Sequence, residues 1–232
     1  MIEVIASVLP FTTFEELKNK ISTLQGIVPT IQIDLCDGVF VPSQTWPFTS
    51  GGFEDYNFQR IMNEEIGLPL WEEFDFELDL MVADAVENFD SYMKLGARRM
   101  ILHLEAMKNL EDFKNFLEGI DLYTRENIEI GIAFRPSMDL EKVYPFISHV
   151  DFIQCMGNDR IGFGGVSLDE KVYDRLKILR EKYSDLPIEV DIGVNEDTAP
   201  LLVDAGATKL ITGSVLFKSY DKIGLVEYFR NL

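Results

Sequence analysis

Three aspartates give the clearest chemical signal in the sequence: Asp34, Asp79 and Asp191. Each stands near the carboxyl end of a short apolar segment with the pattern of a β-strand. If the three side chains share one pocket, they cannot all ionise at neutral pH unless a cation or a proton intervenes. Such a cluster predicts either a bound divalent metal or strongly raised pKa values, and both are typical of functional sites. The structural alternative is that one or more of the three pairs with a helix lysine or caps the next helix.

Glycine-bearing loops in the second half of the chain are suited to bind an anion. GFGG at 162–165, IGV with Gly193, and TGS with Gly213 and Ser214 each follow a late candidate strand. Backbone N–H groups in such loops bind phosphate without requiring net positive charge. Turn formation explains any one of these glycines, but their occurrence on three consecutive strands predicts a phosphate site.

Other reactive side chains allow two interpretations. His103 lies at a strand end beside Glu105, where a packing role competes with a catalytic one. Asp37 is expected to shape its loop rather than to react. Cys36 and Cys155 are expected to be small apolar fillers and not soft metal ligands.

The elements that must position these residues alternate along the chain. Candidate strands cover residues 4–9, 30–35, 76–81, 99–104, 128–134, 151–156, 188–192 and 209–212. Helical patterns lie between them at 14–24, 57–66, 85–95, 110–117, 140–147, 169–182 and 198–205, with a last one at 222–231. Eight strand–helix units in 232 residues predict a (β/α)8 barrel, whose active site lies at the carboxyl ends of the strands. A doubly wound open sheet is less favoured, because no glycine fingerprint follows the first strand.

The chain is expected to form one TIM-barrel domain over residues 1–232. Its one irregular feature is an insertion at about 43–75, which contains TSGG and the acidic aromatic run WEEFDF. Long loops in barrels are often lids, and a plain insertion is an equal alternative.

Composition excludes several function classes. Lys and Arg total 21 against 40 Asp and Glu, and the net charge of −19 repels phosphate backbones and anionic lipids. We therefore expect no nucleic-acid partner and no membrane partner. Two cysteines and two histidines are too few for a disulfide framework or a His-rich metal centre, and a cytoplasmic location fits best. No targeting segment is visible, and the sequence leaves a homo-oligomer open.

Several motifs in order along the chain resemble those of the ribulose-phosphate 3-epimerase family, in the ribulose-phosphate-binding barrel group. They are ASVLP at 6–10, IDLCDGVFVPS at 33–43, LMV at 80–82, LHLEA at 102–106, GIAFRP at 131–136, GFGG at 162–165, EVDIG at 189–193, TAPLLVDAGA at 198–207 and TGSVLF at 212–217. The resemblance covers nearly the whole chain.

The resemblance implies an enzyme that interconverts ribulose 5-phosphate and xylulose 5-phosphate through an enediolate. Asp34 and Asp191 resemble the family's acid/base pair, one removing the C3 proton and the other returning a proton from the opposite face. It further implies that the sugar is lined by three side chains and the phosphate held by four glycines and a serine: Ser7, Met81 and Met156, then Gly164, Gly165, Gly193, Gly213 and Ser214.

The family's metal ligands are only partly retained. Gln32 and Asp79 stand where the family has two histidines, so the implied set is Gln32, Asp34, Asp79 and Asp191. An all-oxygen shell suits Mg²⁺ or Mn²⁺ better than Zn²⁺. A metal-free site in which Asp79 holds a proton remains open. Ile192 also replaces the first glycine of the family's Asp-Gly-Gly run.

Three functions are therefore consistent with the sequence. The favoured one is an active epimerase with altered metal preference. The alternatives are a sugar-phosphate-binding homologue without epimerase activity and an epimerase of another phosphorylated ketose. The retention of Asp34, Asp191 and all three glycine loops favours the enzyme.

Overall fold

Eight parallel strands close into a barrel in the computed structural model, which describes residues 1–232. The strands are β1 (Glu3–Val8), β2 (Thr30–Cys36), β3 (Asp75–Met81), β4 (Arg99–His103), β5 (Glu129–Phe134), β6 (Phe152–Met156), β7 (Ile188–Asp191) and β8 (Lys209–Thr212). Each strand pairs in parallel with its sequence neighbour, and β8 pairs with β1. The predicted TIM barrel is confirmed.

The helices form the outer ring. They are α1 (Phe14–Ser22), α2 (Tyr56–Met62), α3 (Phe89–Met93), α4 (Leu110–Gly119), α5 (Leu122–Asn127), α6 (Lys171–Lys182), α7 (Ala199–Asp204), α8 (Ser214–Lys218) and α9 (Lys222–Arg230). The sequence missed α5 and α8, which are short. The helix predicted at 140–147 is wrong: this segment forms two 3₁₀ helices, Leu140–Lys142 and Tyr144–His149. Pro145 lacks an amide hydrogen and interrupts an α-helix at that point.

The strand register determines which side chains face the lumen. Asp34 of β2 lies opposite Asp79 of β3, and Met156 of β6 lies opposite Asp191 of β7. Alternate residues on these strands point outward into the large core under the helices, where Ile33, Leu78, Leu80 and Val190 are buried. Because side chains alternate along a strand, the aspartates face inward.

A smaller apolar cluster fills the lumen beside the aspartates. It contains Cys36, Met81, Met156 and five other buried residues: Val41, Ile101, Ala133, Phe152 and Ile161. Cys155 lies instead in the outer core, and both cysteines are free and buried. Their filler role is consistent with these positions.

The insertion at 43–75 packs against the side of the barrel. Trp46 is fully buried, its ring lies 5.1 Å from that of Phe14 in α1, and its indole nitrogen donates to Asp55. The carboxylate of Asp55 also caps α2 by accepting from the amides of Asn57 and Phe58. This segment therefore supplies the crossover helix between β2 and β3.

Candidate active site

A cavity of about 300 Å³, the inner cavity, opens at the carboxyl ends of the strands. Nine of the residues predicted for the site line it: Ser7, Asp34, Met81, Gly164, Gly165, Asp191, Gly193, Gly213 and Ser214. Gln32, Asp79 and Met156 do not line the cavity wall and are fully buried in the barrel interior. The strand ends thus bring the two candidate acid/base residues and the three glycine loops into one space.

Asp34 is held by two neutral donors. Its Oδ2 accepts from the Ser7 hydroxyl at 2.8 Å, and its Oδ1 accepts from the Gln32 amide at 2.7 Å. Burial raises the pKa of Asp34 well above its usual value, and the nearby Asp191 and Asp79 raise it further. This carboxyl group is therefore suited to carry a proton at neutral pH.

Asp191 ends β7 on the same cavity. Burial is the main cause that raises the pKa of Asp191 to about 7, and the negative charge of Asp79 is the second. A hydrogen bond from the backbone amide of Ile192 and the nearby His103 lower this pKa. A carboxyl group with a pKa near the ambient pH can both accept and donate a proton. Asp34 and Asp191 thus form a pair of buried carboxyl groups with raised pKa values, and the pKa of Asp191 lies near neutrality.

Asp79 lies deeper in the barrel interior and is paired with His103. The His103 Nε2 atom lies 2.6 Å from one carboxylate oxygen, and the Gln154 amide donates to the other at 3.2 Å. The ring of Phe40 packs on His103 with 5.3 Å between centroids. Sequence reasoning left His103 unassigned and made no prediction for Gln154; the strand parity that places both on the inner face was the available signal.

The glycine loops at the cavity edge differ in how much room a side chain would have. Gly193 has φ of +79°, and an added Cβ would lie 2.5 Å from the backbone nitrogen of Leu168, so only glycine fits. An added Cβ on Gly164 would meet nothing within 4 Å, because this residue borders open space. The cavity edge formed by these loops therefore exposes backbone to a ligand.

Ile192 adopts a left-handed conformation with φ of +77°. Its position follows Asp191, where the sequence departs from the family's glycine. A β-branched residue in this region costs about 1–2 kcal/mol, so the surrounding structure imposes this conformation. Its side chain packs beside the lumen cluster and forms an apolar part of the cavity wall next to the carboxyl group of Asp191.

The cavity wall also carries one cation, Lys218, at the end of α8. The sequence analysis did not identify it. Lys218 follows Ser214 by four residues, about one helical turn, and this spacing was the available signal.

Asp37 organises the loops that surround the site. Its carboxylate accepts from the amides of Val39 and Phe40 in its own loop and from the amide of Ala83 after β3. The prediction that Asp37 shapes the loop agrees with these contacts. Glu105, two residues after His103, lies beyond the end of β4 in a 3₁₀ turn and accepts from the backbone amide of Arg135.

The four expected metal ligands are not arranged as a ligand set. Both side-chain oxygens of Asp34 and both of Asp79 are engaged in hydrogen bonds with other side chains, and no group of three His, Cys, Asp or Glu side chains has metal-binding geometry. Gln32 contributes one buried amide oxygen without a partner. As arranged, these residues do not fit a divalent ion, and the expectation of Mg²⁺ or Mn²⁺ stays a prediction.

Comparison with known proteins places the chain in a family. The family model described as "Ribulose-phosphate 3 epimerase family" matches residues 3–217. The chain belongs to this family. The ribulose-phosphate 3-epimerase of Bacillus subtilis is 28% identical over 99% of both chains, and that of Chlamydia muridarum is 29% identical over 85% of this chain and 79% of its own length.

Solved structures with similar backbones show the same barrel. The 3-keto-L-gulonate-6-phosphate decarboxylase from Vibrio cholerae has a TM-score of 0.66 at 13% identity and covers 99% of this chain and 95% of its own. The 3-hexulose-6-phosphate synthase from Salmonella typhimurium has a TM-score of 0.63 at 14% identity and covers 99% and 97%. At these identities the likeness concerns the fold alone.

None of the helices in the structure has both the length and the apolar character needed to cross a bilayer.

Proposed function

We propose that this member of the family interconverts ribulose 5-phosphate and xylulose 5-phosphate by two-base proton transfer at C3. The observation that carries the proposal is the pairing of Asp34 and Asp191 on one cavity whose edge is formed by the glycine loops. Burial raises the pKa of both groups, to about 7 for Asp191 and well above the usual value for Asp34. One acid and one base are therefore available together at neutral pH.

The proton transfers follow from these protonation states. Ionised Asp191 removes the C3 proton, the electrons of the C–H bond move into a C2–C3 double bond, and negative charge develops on the ketone oxygen. Protonated Asp34 then returns a proton to C3 from the opposite face, and the ketone is restored with inverted configuration. In the reverse direction the two carboxyl groups exchange roles. Ser7 and Gln32 orient Asp34 throughout, because both donate to its oxygens.

The glycine loops fix the other end of the substrate. The same cavity is bordered by Gly164, Gly165, Gly193, Gly213 and Ser214. We assign the phosphate group of the substrate to the backbone N–H groups of these residues and to the Ser214 hydroxyl. We assign Met81, in the cavity wall, to contact with the sugar, whereas Met156 lies in the buried cluster beneath it. Phosphate anchoring places C3 between the two carboxyl groups, which lowers the entropic cost of the reaction.

The direct test is incorporation of deuterium at C3 of ribulose 5-phosphate in D₂O, followed by NMR. We expect exchange and formation of xylulose 5-phosphate in the presence of EDTA, because the structure offers no preformed ligand set. Parallel samples with Mg²⁺, Mn²⁺ and Zn²⁺, with elemental analysis of the purified protein, test the expectation that Mg²⁺ or Mn²⁺ is preferred to Zn²⁺. Absence of exchange in every sample would contradict the proposal.

A second candidate is a sugar-phosphate-binding protein without turnover, because Gln32 and Asp79 stand where the family has two metal-ligand histidines and Asp79 is already bonded to His103. That candidate predicts calorimetric binding of ribulose 5-phosphate and no deuterium at C3. Profiling of other phosphorylated ketoses distinguishes the third candidate, an epimerase of a different substrate.

We further propose a cytoplasmic location. Both cysteines are free and buried, as expected in a reducing compartment, and the rice relative is named the cytoplasmic isoform.

A further inference from the structure

A second cavity, the outer cavity, adjoins the inner one across the GFGG loop at 162–165. It has a volume of about 690 Å³ and shares Leu9, Ser214, Lys218 and the segment 162–167 with the inner cavity. Among the residues that line it are two cations, Arg160 and Lys218, and no aspartate or glutamate. In a chain with 40 acidic residues against 21 basic ones, this is a local reversal of charge.

The two cations are free to bind an anion. Neither Arg160 nor Lys218 has a carboxylate within ion-pair distance, although Arg98, Arg99, Lys108 and other basic residues do. The guanidinium of Arg160 is positioned by the ring of Phe163, which lies 4.7 Å away. Stacking on Phe163 holds the guanidinium at the loop and leaves its N–H groups available in the plane.

The negative charge of the cavity lining and of the whole protein makes cations favourable for binding an anionic substrate. A phosphorylated ketose carries a dianionic group, and the inner cavity is lined by Asp34 and Asp191 with Lys218 as its one basic residue. Backbone amides in the glycine loops donate hydrogen bonds but carry no net charge. The protein as a whole has a charge of −19, which opposes the approach of any anion.

We propose that Lys218 and Arg160 recognise the phosphate group of the substrate and set its affinity. Lys218 lines both cavities and binds the phosphate held by the glycine loops. Arg160 attracts the dianion into the outer cavity and holds it at the entrance. This assignment rests on the proposed function for the identity of the sugar, but the phosphate recognition itself does not depend on turnover.

The test compares Lys218→Met, Arg160→Met and the double variant with the parent protein. Inorganic phosphate is the binding probe, measured by calorimetry at low and at physiological salt, and ribulose 5-phosphate is the kinetic probe. Lys94→Met is the matched control, because it removes the same charge from an exposed residue at the C-terminal end of α3. Lys218→Arg tests whether charge alone restores binding.

We expect each single Met variant to weaken phosphate binding and raise KM about tenfold, with kcat within about twofold of the parent. The double variant should bind more weakly still and lose most of the salt dependence of binding. Lys218→Arg should retain binding, and Lys94→Met should match the parent. Circular dichroism checks that each variant is folded, which we expect because both side chains are exposed.

The outcomes separate this inference from the proposed function. Phosphate binding that is unchanged in the Met variants, or equally reduced in Lys94→Met, overturns the inference even if C3 exchange is observed. Loss of phosphate binding in the Met variants of a protein that shows no C3 exchange supports the inference and contradicts the proposed function.

Discussion

The lumen of the barrel contains carboxylates at both ends, and their surroundings differ. At the lower end, formed by the amino ends of the strands, Glu77 and Glu189 are fully buried. Arg99 lies 3.2 Å from Glu77, and Lys209 lies 2.7 Å from Glu189. At the upper end, no arginine or lysine forms an ion pair with Asp34, Asp79 or Asp191; His103 is the single basic group in contact, with Asp79.

The two ends are built from the same strands. Glu77 precedes Asp79 on β3 by two residues, and Glu189 precedes Asp191 on β7 by two. Buried carboxylates are costly unless they are paired, so the lower end has the pattern of a structural network. The upper end keeps its carboxyl groups without such pairing, which is typical of a site where protonation serves a reaction. Burial alone therefore does not identify a functional carboxylate; the absence of an arginine or lysine partner does.

The largest expected effect is on turnover at the upper end. Asp191→Asn and Asp34→Asn each remove one proton-transfer group, and we expect kcat for C3 exchange to fall about 10³-fold or more. Calorimetric binding of ribulose 5-phosphate should be retained, because the glycine loops proposed to bind the phosphate group are unchanged. Exchange at the parent rate in either variant would show that this carboxyl group is not part of the acid/base pair.

Removal of the arginine at the lower end should affect stability and not turnover. Arg99→Met leaves Glu77 and Glu189 without their shared cation, and we expect the free energy of unfolding to fall by about 3 kcal/mol. Denaturant unfolding measures this loss, and kcat per folded molecule should be unchanged. Arg98→Met is the matched control, since Arg98 makes only an exposed ion pair with Asp75 and should cost less than about 1 kcal/mol. Equal losses in both variants would contradict the structural role of the lower network.

The pH dependence of stability should also distinguish the two ends. The pKa of Asp191 rises from 3.8 to about 7 on folding, so the native state holds a proton that the unfolded state releases between these values. The contribution of Asp191 to the free energy of unfolding is therefore fully present below about pH 4 and is lost as the pH rises through about 7. We expect Tm to decrease between pH 5 and 8 and Asp191→Asn to flatten this decrease. Over the same interval kcat/KM of the parent should rise, because the base form of Asp191 increases. A Tm profile identical in parent and variant would refute the assignment of this proton to Asp191.

The sequence predicted the strands well because their apolar runs are flanked by turn residues. It left open whether Asp34, Asp79 and Asp191 share one pocket, and the observed strands turn all three toward the lumen. It did not predict that Asp79 pairs with His103, because a hydrogen bond between β3 and β4 depends on side-chain depth and rotamer as well as parity. Pro145 was a local signal against the helix predicted at 140–147. The cations at 160 and 218 were missed because one lies in the loop after β6 and the other at the end of α8, and the two come together only in the folded barrel.

The smallest expected effect concerns the glycines at the upper end. Gly164→Ala adds a methyl group where no protein atom lies within 4 Å, so the fold should be retained with Tm within about 2 °C of the parent. If that open space receives the phosphate group, the added methyl should raise KM for ribulose 5-phosphate by about threefold to tenfold, since close approach of backbone to ligand is what glycine permits. Gly119→Ala at the end of α4 is the matched control: it also meets no atom within 4 Å, but it lies away from both cavities and should leave KM unchanged. An unchanged KM in Gly164→Ala would place the phosphate group elsewhere, and the upper end would then retain its acid/base pair without the anchor that positions C3 between the two carboxyl groups.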